Sequence, residues 1–170
     1  MTYGIAVFPS EEISDAANEL RKRYDPRFDF IAPHITVKEA FEADESSLQL
    51  VKNEMQSIAN KTKPFKIEVN KVSSFAPVTN TIYFKVEPNE ALSTLHDALH
   101  TDNLPGSSEH NFVPHITVAQ ELAEDEISDV YGTLQMKKVE YVDTISTMHL
   151  CEQADDGMWT VIETYALKGE

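Results

Sequence analysis

From Tyr3 to Phe8 almost every residue is apolar or small, and beyond Ser10 the spacing changes: Ile13, Ala16, Ala17, Leu20 and Tyr24 recur at helical intervals. The first pattern predicts a buried strand, the second an amphipathic helix capped by Ser10. After a loop containing Asp25-Pro26 comes Pro33-His34-Ile35-Thr36-Val37. Proline disfavours helix for the residue before it, and Ile, Thr and Val favour strand, so this segment is extended. Leu48, Val51, Met55 and Ile58 mark one face of a helix near residues 46–59, and Phe65, Ile67 and Val69 alternate as in a strand with one buried face. The order is βαβαβ.

The second half repeats it. Thr81 to Val86 reads as a strand, Asn89 caps a helix through Leu92, Leu95 and Leu99, and Pro114-His115-Ile116-Thr117-Val118 writes the same five residues again. Ile127, Val130, Tyr131 and Leu134 give the matching helix, and two strands follow near 138–151 and 158–167, joined through Asp155-Asp156-Gly157. The offset is 79 residues from Pro9 to Pro88 and 81 from His34 to His115, so the second copy has gained two residues between them. A shared word in shared surroundings marks a divergent tandem duplication. The chain is expected to form one bilobal domain over 1–170, with lobe one about 1–75 and lobe two about 81–167, neither folding independently. Between them, Ser73 to Asn80 reads as a turn-rich connector whose Phe75 packs in a loop or faces a ligand.

Composition narrows the functions open to such a chain. At 170 residues and 41% hydrophobic it can bury one real core. No apolar stretch is long enough for a membrane span or a signal peptide, so a soluble cytoplasmic protein with no membrane partner is expected. The single cysteine, Cys151, fits a reducing compartment and reads as a strand or core residue. Net charge is −15, divided unevenly: residues 1–85 hold 11 Lys/Arg and 12 Asp/Glu, residues 86–170 hold 3 and 17. That balance argues against a protein that coats long RNA or DNA, which binds through many phosphate contacts. A small anionic ligand would meet its peripheral cations in the first half, at Arg21, Lys22, Arg23, Arg27 and Lys38, although Arg21 to Arg23 also suit a helix C-terminus.

The repeated word carries the chemistry. Residues two apart on a strand share a face, so His34 projects with Thr36, and His115 with Thr117, while the intervening Ile and Val enter the core. If the lobes pack about a pseudo-two-fold axis, two imidazoles and two hydroxyls face one groove. Phosphodiester cleavage needs a base for the attacking hydroxyl and an acid for the leaving oxygen, and two histidines supply both near neutrality. The threonine hydroxyls can donate to the non-bridging oxygens as charge develops on them. By strand parity Lys38 falls on the same side, as a phosphate contact or as a solvated edge lysine.

Two His-x-Thr motifs about 80 residues apart in a small duplicated α/β chain resemble the two-histidine phosphoesterase superfamily, which includes bacterial 2′,5′ RNA ligases and cyclic phosphodiesterases. YGIAVFPS, RKRYDP, SSFAPV and the closing WTVIETY are most similar to the bacterial YjcG group of phosphoesterases. The resemblance implies an α+β fold of two βαβαβ lobes related by a pseudo-two-fold axis, with mainly antiparallel sheets flanking a central cleft and helices outside. It implies catalytic roles for His34 and His115 and phosphate-holding roles for Thr36 and Thr117, with no metal and no cofactor. The implied substrate is a small cyclic-phosphate or 2′,5′-linked nucleotide, or a short RNA end. With only Lys137, Lys138 and Lys168 as cations in its second half, the chain is not suited to large RNA. Two other readings use the same residues: an idle cleft that binds a nucleotide or phosphorylated metabolite, and RNA end-joining by the reverse reaction. His96 and His100 have a spacing that can hold zinc, but the HExxH glutamate and a third ligand are missing, so they read as a solvated helix face. His110 and His149 carry no motif and read as structural.

Overall fold

The computed structural model describes residues 1–107 and 111–170, so His110 lies outside the described residues. The elements run β1 (Thr2–Val7), α1 (Glu11–Tyr24), β2 (Ile35–Glu42), α2 (Glu45–Lys61), β3 (Phe65–Ser74), β4 (Ile82–Val86), α3 (Glu90–Ala98), β5 (His115–Ala119), α4 (Glu124–Leu134), β6 (Tyr141–Ile145), β7 (Thr147–Gln153) and β8 (Trp159–Ala166). They form two four-stranded sheets, β2-β1-β7-β8 and β5-β4-β3-β6, with every pairing antiparallel. The fold is α+β, and the strand orders match when β1 is set on β4, β2 on β5, β7 on β3 and β8 on β6.

The apolar patterning explains which strands lie inside. Tyr3 to Val7 are all buried, and β1 is an inner strand of its sheet, paired on both edges. In the motif strands, Ile35, Val37, Ile116 and Val118 are at most 1% exposed while Thr36 and Thr117 remain partly open, the two-residue alternation expected of them. Each fully buried aliphatic side chain of this kind contributes about 1.5–3 kcal/mol. The helices bury the stripes read from the sequence: Ile13, Ala17 and Leu20 in α1, Val51 and Met55 in α2, Leu92 and Leu95 in α3.

Four features depart from the sequence reading. Neither sheet is built from one half of the chain: β3 lies before residue 75 yet pairs with β4 and β6, while β7 and β8 return to β1. The boundary at 75–81 separates the sequence repeats but not the sheets, because β3 joins the sheet of β4 and β5 while β7, with β8 beside it, joins that of β1 and β2. Secondly, the strand expected over 138–151 is two, β6 and β7, which pass from one sheet to the other across Ser146. No glycine or proline marks that crossing, so periodicity cannot see it. Thirdly, β3 runs on to Ser74 and absorbs the start of the expected connector. Fourthly, Ser10 occupies the N-cap of α1 but its hydroxyl makes no cap bond; its N–H donates instead to Asp143 Oδ2 of β6 at 2.6 Å. The Asp143 carboxylate thereby complements the positive end of α1.

Helices cross between the sheets. α1 lies against β5 and α3 against β2. The Gln120 N–H donates to the Tyr24 carbonyl at the end of α1 (3.3 Å), and Lys38 Nζ donates to the Leu99 carbonyl at the end of α3 (2.7 Å). Each motif strand is thus fastened to the helix of the other repeat, which fixes the two motifs relative to one another.

Candidate active site

His34 immediately precedes β2 and His115 opens β5, and both rings are held in the same way. His34 Nδ1 lies 2.8 Å from the Ala32 carbonyl, and His115 Nδ1 lies 2.7 Å from the Val113 carbonyl. A carbonyl oxygen only accepts, so Nδ1 carries the proton in each and donates it. In the neutral rings Nε2 is then the nitrogen with a lone pair. The duplication survives at the level of a tautomer.

Two cavities meet at this seam. The first, about 410 Å³, is lined by His34 and Thr36 together with Arg27, Phe30 and Trp159. The second, about 530 Å³, is lined by His115 and Thr117 together with Glu39 and Phe75. Thr36 and Gln120 line both, and a positive charge on His115 disfavours one on His34, so the four motif side chains converge on one region. Burial is the main cause holding the pKa of each imidazole below its ordinary value. Beyond burial their surroundings differ. At His34 the Arg21 guanidinium lowers the pKa further while Asp25 opposes it; at His115 the Glu39 carboxylate raises it.

Aromatic rings fix both histidines. Phe75 and Tyr83 meet the His115 ring edge-on at 4.9 and 5.3 Å and lie tilted against one another at 4.2 Å. Phe75 therefore both packs in its loop and lines the second cavity. Phe8 stands 6.4 Å from His34 and 4.8 Å from His149. His149 is held between the hydroxyls of Thr147 (3.1 Å) and Thr164 (3.0 Å).

Lys38 departs from the sequence reading. Thr36 opposes Ala6 and Lys38 opposes Ile5, so β2 carries one extra residue, Val37, and the bulge breaks the alternation used to place Lys38 beside Thr36. The lysine backs the first cavity, but its side chain is buried at 2% exposure, and its ammonium is engaged by the Leu99 carbonyl at the C-terminus of α3. It is not a solvated edge lysine. Glu39 lies on the second cavity instead.

The other expected cations are also redistributed. Lys22 pairs with Glu19 on the surface, and Arg23 lies over the Tyr24 ring. Arg21, at 2% exposure, donates to Asp25 (3.0 Å), Asn18 (2.8 Å) and the Ile31 carbonyl (2.6 Å). Asp25 also accepts from Gln120 Nε2 at 2.8 Å. This buried group shapes the loop that delivers His34 and ties it to the residue that follows β5. RKRYDP held the signal, but only a fold shows that its first arginine turns inward. Arg27 lines the first cavity at the rim and pairs with Glu121 at 3.2 Å.

His96 and His100 are not a solvated face. Their rings meet at a tilt, 4.1 Å apart, His96 stacks on Phe112 at 4.4 Å, and both line the second cavity. Among the described residues no three His, Cys, Asp or Glu side chains gather as metal ligands. Cys151 is buried in β7, and burial pushes its thiol up to about 11. Among the described residues no helix is long and apolar enough to cross a membrane.

Comparison with known proteins agrees with this arrangement. A family model described as the 2′-5′ RNA ligase superfamily matches residues 9–157. An Oceanobacillus iheyensis protein named "Putative phosphoesterase" is 53% identical over 167 residues, 98% of each chain. A similarly named Geobacillus protein is 47% identical over 170 residues, 100% of this chain and 98% of its own. Among solved structures, E. coli LigT complexed with 3′-AMP superposes with a TM-score of 0.74 at 14% identity over 97% of each chain. A Thermus thermophilus protein superposes with a TM-score of 0.72 at 20% identity over the whole of both chains. At these identities the two structures speak for the fold.

Proposed function

This chain belongs to the 2′-5′ RNA ligase superfamily and, with its relatives, to the phosphoesterases, and from that premise we propose that it is a metal-independent phosphodiesterase acting on a small cyclic-phosphate or 2′,5′-linked nucleotide or a short RNA end. The observation that carries this reading is the identical anchoring of His34 and His115, Nδ1–H to a backbone carbonyl, on cavities that share Thr36 and Gln120. LigT was solved with 3′-AMP, NADP+ and ATP, which supports a nucleotide as substrate.

His34 is the base and His115 the acid in the hydrolytic direction. The carboxylate of Glu39 favours an imidazolium at His115, whereas at His34 the Arg21 guanidinium, opposed by its ion-pair partner Asp25, and a charged His115 both disfavour one. His34 Nε2 takes the proton of the attacking water as its oxygen bonds to phosphorus. The bond to the leaving oxygen breaks, and that oxygen takes the Nε2 proton of His115. Thr36 and Thr117 donate to the non-bridging oxygens as charge develops there. Turnover of a panel of 2′,3′-cyclic nucleotides and 2′,5′-linked dinucleotides tests the reading; a cleft that binds them without turnover would overturn it.

Protonation of His34 removes activity on the acid side, and deprotonation of His115 removes it on the alkaline side. Because burial lowers both groups, the limbs of kcat/KM, which report the free enzyme, are expected below histidine's ordinary value near 6.5. Glu39→Gln should move the alkaline limb to lower pH. An optimum on the alkaline side of neutrality, or an unmoved limb, would refute this assignment.

Activity is expected to survive dialysis against EDTA with kcat unchanged. Loss restored by a divalent ion would show that a metal, not the imidazole pair, supports the leaving group.

A further inference from the structure

The first cavity carries an aromatic surface that acid–base chemistry at the imidazoles does not use. Trp159 opens β8, two strands away from β1, and its N–H donates to the Phe30 carbonyl at 2.9 Å. Its side chain reaches across β7 to β1: a Cβ added at Gly4 would stand 3.4 Å from Cη2 and Cζ3 of the indole. Glycine at position 4 is what lets the ring rest on the strand backbone. Trp159 is half-buried and lines the cavity, so part of its surface remains available there. Phe30 supplies a second ring. It is held beside the turn at Gly157, whose φ of +92° suits glycine and whose absent Cβ would touch the Phe30 ring at 3.4 Å.

The same cavity is lined by His34 and Thr36 on its catalytic side and by Arg27, Gln120 and Glu121. An aromatic surface beside a phosphate-handling pair suits a ligand that joins a flat ring to a phosphate. At about 410 Å³ the space falls within the range of small-molecule sites.

We propose that Trp159 and Phe30 form a nucleobase-binding subsite, which stacks the base of a nucleotide while its phosphate lies between His34 and His115. This rests on the phosphodiesterase reading for the phosphate position, but the platform has its own consequence. Stacking accepts any base through its π-face, so recognition is tolerant of identity and strengthens with ring area, purines binding more tightly than pyrimidines. The alternative is that Trp159 only covers Gly4 and completes the sheet face.

Trp159 is the single tryptophan of the chain, so the protein carries its own reporter. Titration of the unmodified protein with adenosine 2′-monophosphate is expected to change tryptophan emission saturably. Ribose 5-phosphate and inorganic phosphate should leave it unchanged, and uridine 2′-monophosphate should bind more weakly than the adenosine compound. Trp159→Ala is expected to raise KM for a cyclic purine nucleotide about five- to a hundredfold with kcat little changed, the cost of losing one base–aromatic stack. Trp159→Phe should recover much of that loss. Emission that ignores the adenosine compound, or responds equally to ribose 5-phosphate, overturns the subsite. The unmodified protein gives that answer even if Trp159→Ala fails to fold. Base-dependent emission without turnover of any phosphodiester would leave the subsite standing and remove the acid–base reading; histidine-dependent turnover with silent emission would do the reverse.

Discussion

His34→Ala and His115→Ala are each expected to lower kcat by about 10²–10⁴-fold, and the double replacement by little more than either alone. Both imidazoles act on one transition state, one receiving a proton as the other releases one, so removing either leaves the partner without a matching step. The expectation rests on the shared placement: each ring is locked in its Nδ1–H tautomer by a carbonyl two residues upstream, and the cavities meet at Thr36 and Gln120. Thr36→Ala and Thr117→Ala should cost less, on the order of tenfold to a thousandfold each, as for loss of one oxyanion donor. A double-mutant cycle on kcat decides the matter. Multiplicative histidine effects, or full activity in either single variant, would end paired acid–base catalysis.

Arg21→Ala is expected to destabilise the fold by about 3–5 kcal/mol, the usual cost of leaving one member of a buried ion pair uncompensated. The side chains of Arg21 and Asp25 are only 3% and 1% exposed, so solvent cannot replace the lost guanidinium. Asp25 keeps its bonds from the Arg27 N–H and Gln120 Nε2, but these are neutral donors. Arg21→Lys retains the charge without the planar fork that reaches Asp25, Asn18 and Ile31 at once, so it should recover only part of the loss. Urea unfolding of the three proteins provides the measurement. A loss below about 1 kcal/mol for Arg21→Ala would show that the pair stabilises little relative to an apolar contact.

The strands and helices were legible because each has one face to bury. Spacing of three and four in α1, and alternation around Ile35 and Ile116, report that burial directly. The motif histidines were legible for a different reason, the recurrence of one word in one context. Lys38 was not, because its placement assumed unbroken alternation, and the bulge at Val37 turned it into the interior. Arg21 was legible only as a cation near a helix end. Its burial follows from the loop at 25–31 folding back over it, which no local pattern records. The passage from β6 to β7 is similar: a single residue changes sheets, and both strands keep ordinary strand sequence.

By itself the sequence determined the duplication, the order of its elements from β1 to α4 and the pairing of His34 with Thr36 and of His115 with Thr117 as candidates, since each depends on residue type and near-neighbour spacing. Tertiary structure alone decided what surrounds them. The exchange of β3 and β7, the crossing of α1 and α3, and the seam from Asp25 to Gln120 join residues far apart in the chain. Those long-range contacts bring the charges of Arg21 and Asp25 to bear on one imidazole and that of Glu39 on the other. Two identical words thereby acquire different electrostatic surroundings, because the field at a side chain depends on distance through space rather than along the chain.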